Sequence, residues 1–119
     1  MLKLRVLLIS GDLVFLTTAT ETARQDPRVA QVVGAATGQE ALEASAATKP
    51  DLVLMDMTIP DMRVLELTKR LKAQYDTCRV ILMATLEPSL HQAAAAALGA
   101  DGVVEKSKFS TAFPPLDMP

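Results

Sequence analysis

Three side chains that could handle a phosphoryl group stand at the ends of three short apolar runs. Asp56 follows Leu52–Met55, Thr85 follows Val80–Ala84, and Lys106 comes two residues after Gly102–Val104. If those runs are parallel strands, all three emerge at one edge of a sheet, where open parallel sheets bind their ligands. A carboxylate, a hydroxyl and an ammonium together supply a nucleophile, a hydrogen-bond donor and a counter-charge. Each residue alone is ordinary, so the weight rests on the trio. Ser10, Gly11 and Asp12 follow another apolar run, Leu4–Ile9. Asp12 directly precedes Leu13-Val14-Phe15, so it is read first as a helix N-cap and second as a metal ligand.

The elements that must position these residues alternate along the chain. The nearly continuous apolar runs at Leu4–Ile9, Val29–Ala35, Leu52–Met55, Val80–Ala84 and Gly102–Val104 suit strands buried on both faces. Helical segments are expected between them, at about Leu13–Arg24, Gln39–Thr48, Arg63–Ala73 and Pro88–Leu98. The first carries Thr17, Thr18, Thr20 and Thr22, poor helix formers, so packing must hold it. The third places Val64, Leu67 and Leu71 on one face, while Lys69, Arg70 and Lys72 form a solvated cationic face. Pro88 at the start of the fourth and Gly99 past its end are the expected asymmetry. Such alternation predicts βαβ units and a parallel sheet. The chain of 119 residues holds one domain and no second of useful size.

Composition removes several function classes. Aromatics are 3% with no Trp, so stacking platforms for single-stranded nucleic acid are excluded. The net charge of −2 lacks the basic footprint of a nucleic-acid domain. Cys78 and His91 are the only residues of their types, which rules out an internal disulfide, a thiolate cluster and a His-pair metal site. Cys78 is read as a small, part-buried packing residue. No run approaches the ~18 apolar residues of a membrane span. A cytoplasmic protein with no membrane or nucleic-acid contact is expected.

The residues also carry a family resemblance. Asp51-Leu52-Val53-Leu54-Met55-Asp56-Met57-Thr58-Ile59-Pro60 resembles the third strand and following loop of response-regulator receiver domains. Val80–Thr85 and Gly99–Lys106 resemble that family's fourth and fifth strands, Arg5–Ile9 its first strand, and Gly38–Leu42 its second helix. The resemblance implies an α/β, flavodoxin-like doubly wound sheet of five parallel strands in the order 2-1-3-4-5, with helices on both faces. It implies that Asp56 is the phosphoacceptor, taking a phosphoryl group from a phosphohistidine. Lys106 would contact the phosphoryl group and Asp56, and Thr85 would rotate inward as the switch. Asp56 and the backbone carbonyl of Thr58 would hold Mg²⁺, with Asp12 a further candidate ligand. Thr58 and Glu87 would tune dephosphorylation. The implied partners are a histidine kinase or phosphotransfer protein upstream and a protein partner or effector domain downstream.

Departures from the family pattern shape the expectation. The two metal-binding acids after the first strand are replaced by Ser10 and Gly11, so Mg²⁺ binding should be weak. Arg63-Val64 stands where the family carries Asp-Gly. Val103 replaces the fifth-strand aromatic, and Ser107 replaces the proline after the lysine. Pro114-Pro115 should leave the fifth helix short or missing. The expected organisation is a receiver-like domain over residues 1–109 and a Pro-rich tail over 110–119. Phe109, Phe113 and Leu116 should cover the exposed sheet, or else a second subunit should, giving a homodimer.

The expected function is therefore a receiver of a two-component phosphorelay with a degenerate Mg²⁺ site, and not an enzyme. The alternative is a phosphorylation-independent interaction module on the same fold. An aspartate-nucleophile phosphatase would need a second Asp at Thr58 and a longer chain. A flavin or nucleotide binder would need a richer loop than Ser10-Gly11-Asp12.

Overall fold

The computed structural model describes residues 3–84 and 99–106. Within them run β1 (Leu4–Ile9), α1 (Leu13–Arg24), β2 (Val29–Ala35), α2 (Gly38–Thr48), β3 (Leu52–Asp56), α3 (Val64–Gln74), β4 (Arg79–Ala84) and β5 (Gly102–Glu105). The strands form one sheet in the order β2-β1-β3-β4-β5. Every neighbouring pair is parallel. This is the flavodoxin-like arrangement expected from the sequence.

The apolar runs explain the layering. Successive side chains of a strand point to opposite faces, so a continuous apolar strand feeds two cores. On one face Leu7, Ile9, Val53, Met55, Val80, Leu82 and Ala84 meet Ala41 and Leu42 of α2 and Leu67 and Leu71 of α3. On the other, Val6, Leu8, Leu52, Leu54, Ile81 and Met83 meet Ala19 and Ala23 of α1. The core is aliphatic, as the composition requires, and Cys78 is buried within it. Burial pushes the Cys78 thiol up, which keeps it inert.

Local chemistry sets the helix boundaries. Asp12 caps α1, its Oδ1 accepting from the Phe15 N–H at 3.1 Å. The threonines of α1 fold their hydroxyls back onto the helix: Thr17 donates to the Leu13 carbonyl, Thr18 to that of Val14 and Thr22 to that of Thr18. Thr37 caps α2, and Glu40 reaches back to the Ala36 N–H, so this helix begins at Gly38, one residue earlier than its sequence suggests. It ends at Lys49 in the left-handed conformation, before Pro50. No side chain caps α3 at Arg63, and buried Leu67 and Leu71 hold it by packing.

One expectation about α3 needs correction. Lys69 and Arg70 are exposed, but Lys72 is part-buried and donates to Asp101 at 2.7 Å. A neighbouring carboxylate has drawn it off the solvated face. Gly99 takes φ +81°, a backbone that suits glycine. Thr85, Glu87, His91, the fourth and fifth helical segments, Phe109, Phe113, Leu116 and the tail lie outside the described residues. No helix among the described residues is long and apolar enough to cross a membrane.

Candidate functional site

The carboxyl ends of β1, β3 and β5 meet at Asp56. Position is dictated by register: Met55 pairs with Ile9, and Asp56 with Met83, so the ends of β1, β3 and β4 lie level. Asp56 is only 2% exposed. Its Oδ2 accepts from the Ser10 hydroxyl at 2.8 Å and from the Lys106 ammonium at 2.9 Å. Its Oδ1 takes one longer bond, from the Thr58 N–H at 3.4 Å. The two carboxylate oxygens are therefore unequal: one is committed to a hydroxyl and a cation, the other is held lightly by a loop amide.

Ser10 and Asp12 extend the network into α1. The fully buried Ser10 hydroxyl accepts from the Asp12 N–H at 3.1 Å while donating to Asp56. Where the family resemblance implies an acid, a neutral hydroxyl bonds Asp56 directly. Asp12 Oδ2 lies 3.5 Å from Lys106 Nζ. The Phe15 N–H, and to a lesser degree Lys106, hold the Asp12 carboxyl below its usual range. Burial works against the Lys106 ammonium, yet the hydrogen bond and charge of Asp56, joined by Asp12, outweigh it and raise its pKa. Lys106 also sits 4.6 Å from the centroid of the Phe15 ring.

The loop after Asp56 is fixed on two sides. Gly11 lies against it, since a Cβ there would stand 3.2 Å from the Thr58 carbonyl oxygen. On the other side Asp61 accepts from the Gly38 and Gln39 N–H groups at 2.7 and 3.0 Å, at the start of α2. Those two bonds hold the Asp61 carboxyl below its usual range. A Cβ at Gly38 would come within 2.6 Å of the Met62 side chain, which would have to shift to admit it.

Of the residues singled out in the sequence, Asp56, Lys106, Asp12 and Thr58 come together, whereas Thr85 and Glu87 lie outside the described residues. Asp12 is the N-cap of α1, as its first reading held. Two members were missed. Ser10 looked like the absence of an acid, and its direct bond to Asp56 depends on β1 and β3 being level. Phe15 looked like an apolar helix position. A faint signal existed, because a residue three after an N-cap shares its helix face and follows Asp12 onto Lys106.

The donor set near Asp56 is small. Among the described residues no group of three or more acidic, His or Cys side chains could hold a metal ion. Asp56 and the Thr58 carbonyl are the donors the family resemblance names, and Asp12 is engaged as a helix cap and with Lys106.

Comparison with known proteins agrees with this arrangement. The sequence matches the response regulator receiver domain family over residues 6–111. It is 39% identical over 71 residues to the transcriptional regulatory protein YhcZ of Bacillus subtilis, a match covering 59% of this chain and 33% of that protein. It is 45% identical over 53 residues to sporulation initiation phosphotransferase F of the same organism, covering 44% of this chain and 43% of that one. Among solved structures, a chain in the complex of the CheA3 P1 domain with CheY6 from R. sphaeroides superposes with a TM-score of 0.75 at 31% identity. That match covers 86% of this chain and 81% of the other. The chain spans less than half the length of these two curated relatives. With strand order and family match in agreement, the chain belongs to the response regulator receiver domains of two-component signalling.

Proposed function

We propose that this receiver takes a phosphoryl group on Asp56, from a phosphohistidine of a histidine kinase or phosphotransfer protein, with only weak help from Mg²⁺. The observation that carries the reading is the unequal engagement of the Asp56 oxygens. Lys106 and Ser10 gather on Oδ2, while Oδ1 has only the 3.4 Å contact from Thr58. Oδ1 attacks phosphorus, the O–P bond forms, the N–P bond breaks, and the leaving imidazole picks up a proton from solvent. Lys106 balances the charge that arrives. The chain acts as a signalling module in this reading, not as a catalyst with turnover. The change of charge at Asp56 biases a two-state surface read by a downstream partner or effector domain. Thr85 is the proposed switch residue, and Thr58 and Glu87 tune the lifetime of the phosphorylated state.

Mg²⁺ would rest on Asp56 and the Thr58 carbonyl, with Asp12 adding charge nearby, and would screen phosphoryl oxygens when bound. Replacing an acid by Ser10 weakens that attraction by about 1–3 kcal/mol after hydration is counted. The Mg²⁺ affinity should then fall about ten- to hundredfold below that of a site with both acids. The deciding experiment is incubation with acetyl phosphate, with and without Mg²⁺, followed by intact mass. One added phosphoryl group, absent in Asp56→Ala, supports the reading. No labelling at any Mg²⁺ concentration overturns it.

The second reading is a phosphorylation-independent interaction module. It is favoured by the same pair of bonds, since Ser10 and Lys106 already satisfy the buried carboxylate within the chain. Failure of labelling together with an unchanged fold would favour it.

A further inference from the structure

We propose that Phe15 is a positioning residue for Lys106: its ring faces the ammonium and holds it on Asp56, making the first turn of α1 part of the acceptor site. The inference rests on the reading of Asp56 as phosphoacceptor, and deepens it.

An ammonium carries three N–H donors and no rigid geometry, on a stem of four carbons. Two directions of Lys106 Nζ are taken by carboxylates, Asp56 at 2.9 Å and Asp12 at 3.5 Å. The Phe15 ring is the third, at 4.6 Å, within the range at which a ring's negative face attracts a cation. The Lys106 side chain is 16% exposed, so solvent competes weakly for it. The local sequence builds this: Asp12 is the N-cap and Phe15 the third residue of α1, and the Phe15 N–H bonds the Asp12 carboxylate. One helix turn therefore presents both a carboxylate and a ring to a lysine that arrives from β5. Phe15 is part-buried and packs against the core on the α1 face of the sheet, which limits where the ring can be.

A leucine at this position keeps the packing and removes the π face. The side chain that reaches Asp56 then loses one of its contacts among the described residues, and an ammonium on a flexible stem wanders. The expected readout is the resonance of the Lys106 ammonium protons, which persists near neutral pH only when the group is held and shielded. It should be observed in the parent and in Phe15→Tyr, and be lost or broadened in Phe15→Leu. Labelling of Asp56 by acetyl phosphate should slow about three- to thirtyfold in Phe15→Leu and stay within about twofold in Phe15→Tyr. The inference is overturned if Phe15→Leu keeps both the ammonium resonance and the labelling rate, or if Phe15→Tyr falls as far as Phe15→Leu, which would mean that packing alone matters. If the parent takes no label, the acceptor reading is what fails, and the ammonium resonance alone decides the role of Phe15.

Discussion

Asp51 and Asp56 stand at opposite ends of the same strand and differ in how closely a backbone amide holds them, at 2.9 Å for Asp51 and 3.4 Å for Asp56. Asp51, just before β3, accepts from the backbone N–H of Arg5 at 2.9 Å and from the Arg5 guanidinium at 3.4 and 3.5 Å. Asp101, just before β5, does the same for β4, accepting from the Val80 N–H at 2.8 Å and from Lys72 at 2.7 Å. Each ties down an amide at the start of a neighbouring strand. Asp56 has two side chains on one oxygen and a distant amide on the other. Backbone partners cannot leave without unravelling the strand ends, whereas side-chain partners can turn to a new group. The amino end of the sheet ties its carboxylates to strand amides, and the carboxyl end gathers movable side chains on Asp56.

That contrast breaks most sharply at the two aspartates of β3. Asp56→Asn should abolish labelling by acetyl phosphate while leaving the melting temperature close to the parent's, since Asn still accepts from Ser10 and Lys106. Asp51→Asn should label within about twofold of the parent but melt lower, because its bond to a strand amide and its guanidinium partner are weakened. Intact mass and thermal melts on the two variants give both readouts. Labelling that survives Asp56→Asn would place the acceptor elsewhere and end the comparison.

The lysines should divide in the same way, with a smaller effect. Lys106→Ala removes the cation nearest the arriving charge, and losses of about a hundredfold or more in labelling rate are usual for a preorganised donor of this kind. Among the described residues Lys72 bonds Asp101 and the Cys78 carbonyl, away from Asp56, so in Lys72→Ala the rate should hold within about twofold. Equal losses would mean that labelling reports general stability instead of a local site.

The contrast also explains what was legible in the sequence. The strands were readable because β1, β3 and β4 are buried on both faces, which leaves continuous apolar runs. Asp56 and Lys106 were readable because each ends such a run. The bonds between the ends were not, because they depend on register. Ser10 meets Asp56 only because β1 and β3 finish level, and Phe15 meets Lys106 only because the start of α1 and the end of β5 emerge at the same edge of the sheet. Lys72 was misread as solvated for a related reason. Its partner Asp101 is 29 residues away, and no local pattern announces it.

Restoring acids beside Asp56 should sharpen the comparison further. In Ser10→Asp with Gly11→Asp, the fully buried Ser10 site puts a carboxylate where a hydroxyl now donates to Asp56. Two carboxylates about 4 Å apart repel by roughly 4 kcal/mol at an effective dielectric near 20. Lys106 offsets part of this, leaving a net loss of about 1–3 kcal/mol. Gly11 is not at positive φ, so an aspartate there escapes backbone strain, and its hazard is the Thr58 carbonyl 3.2 Å from the new Cβ. The double variant should melt roughly 4–12 °C lower without Mg²⁺, and Mg²⁺ should recover the loss by binding the folded state. A variant that folds yet gains neither Mg²⁺-dependent stability nor faster labelling of Asp56 would show that the carboxyl end is not a lapsed metal site.

The smallest effect tests the amino end by pH. Burial works against the Asp101 carboxylate, but the hydrogen bonds from Lys72 and from the Val80 N–H, with the charges of Lys72 and Arg79, outweigh it and lower its pKa. A depressed carboxyl pKa contributes stability that is fully present above the unfolded value of about 3.9. That stability is lost as pH falls through the lower folded value. The Asp101 side chain is 34% exposed, so solvent screens the pair and the contribution is about 0.5–1 kcal/mol. Asp101→Asn should therefore be less stable than the parent at pH 6 and converge with it in acid, below the ordinary carboxyl range, as read by urea unfolding at each pH. The gap closes because the parent loses its ionic bond in acid and the variant has none to lose. A deficit that stays constant into acid would mean that Asp101 works as an uncharged cap on the Val80 amide. The amino end would then differ from the site at Asp56 in its backbone partner alone, with charge serving only the carboxyl end.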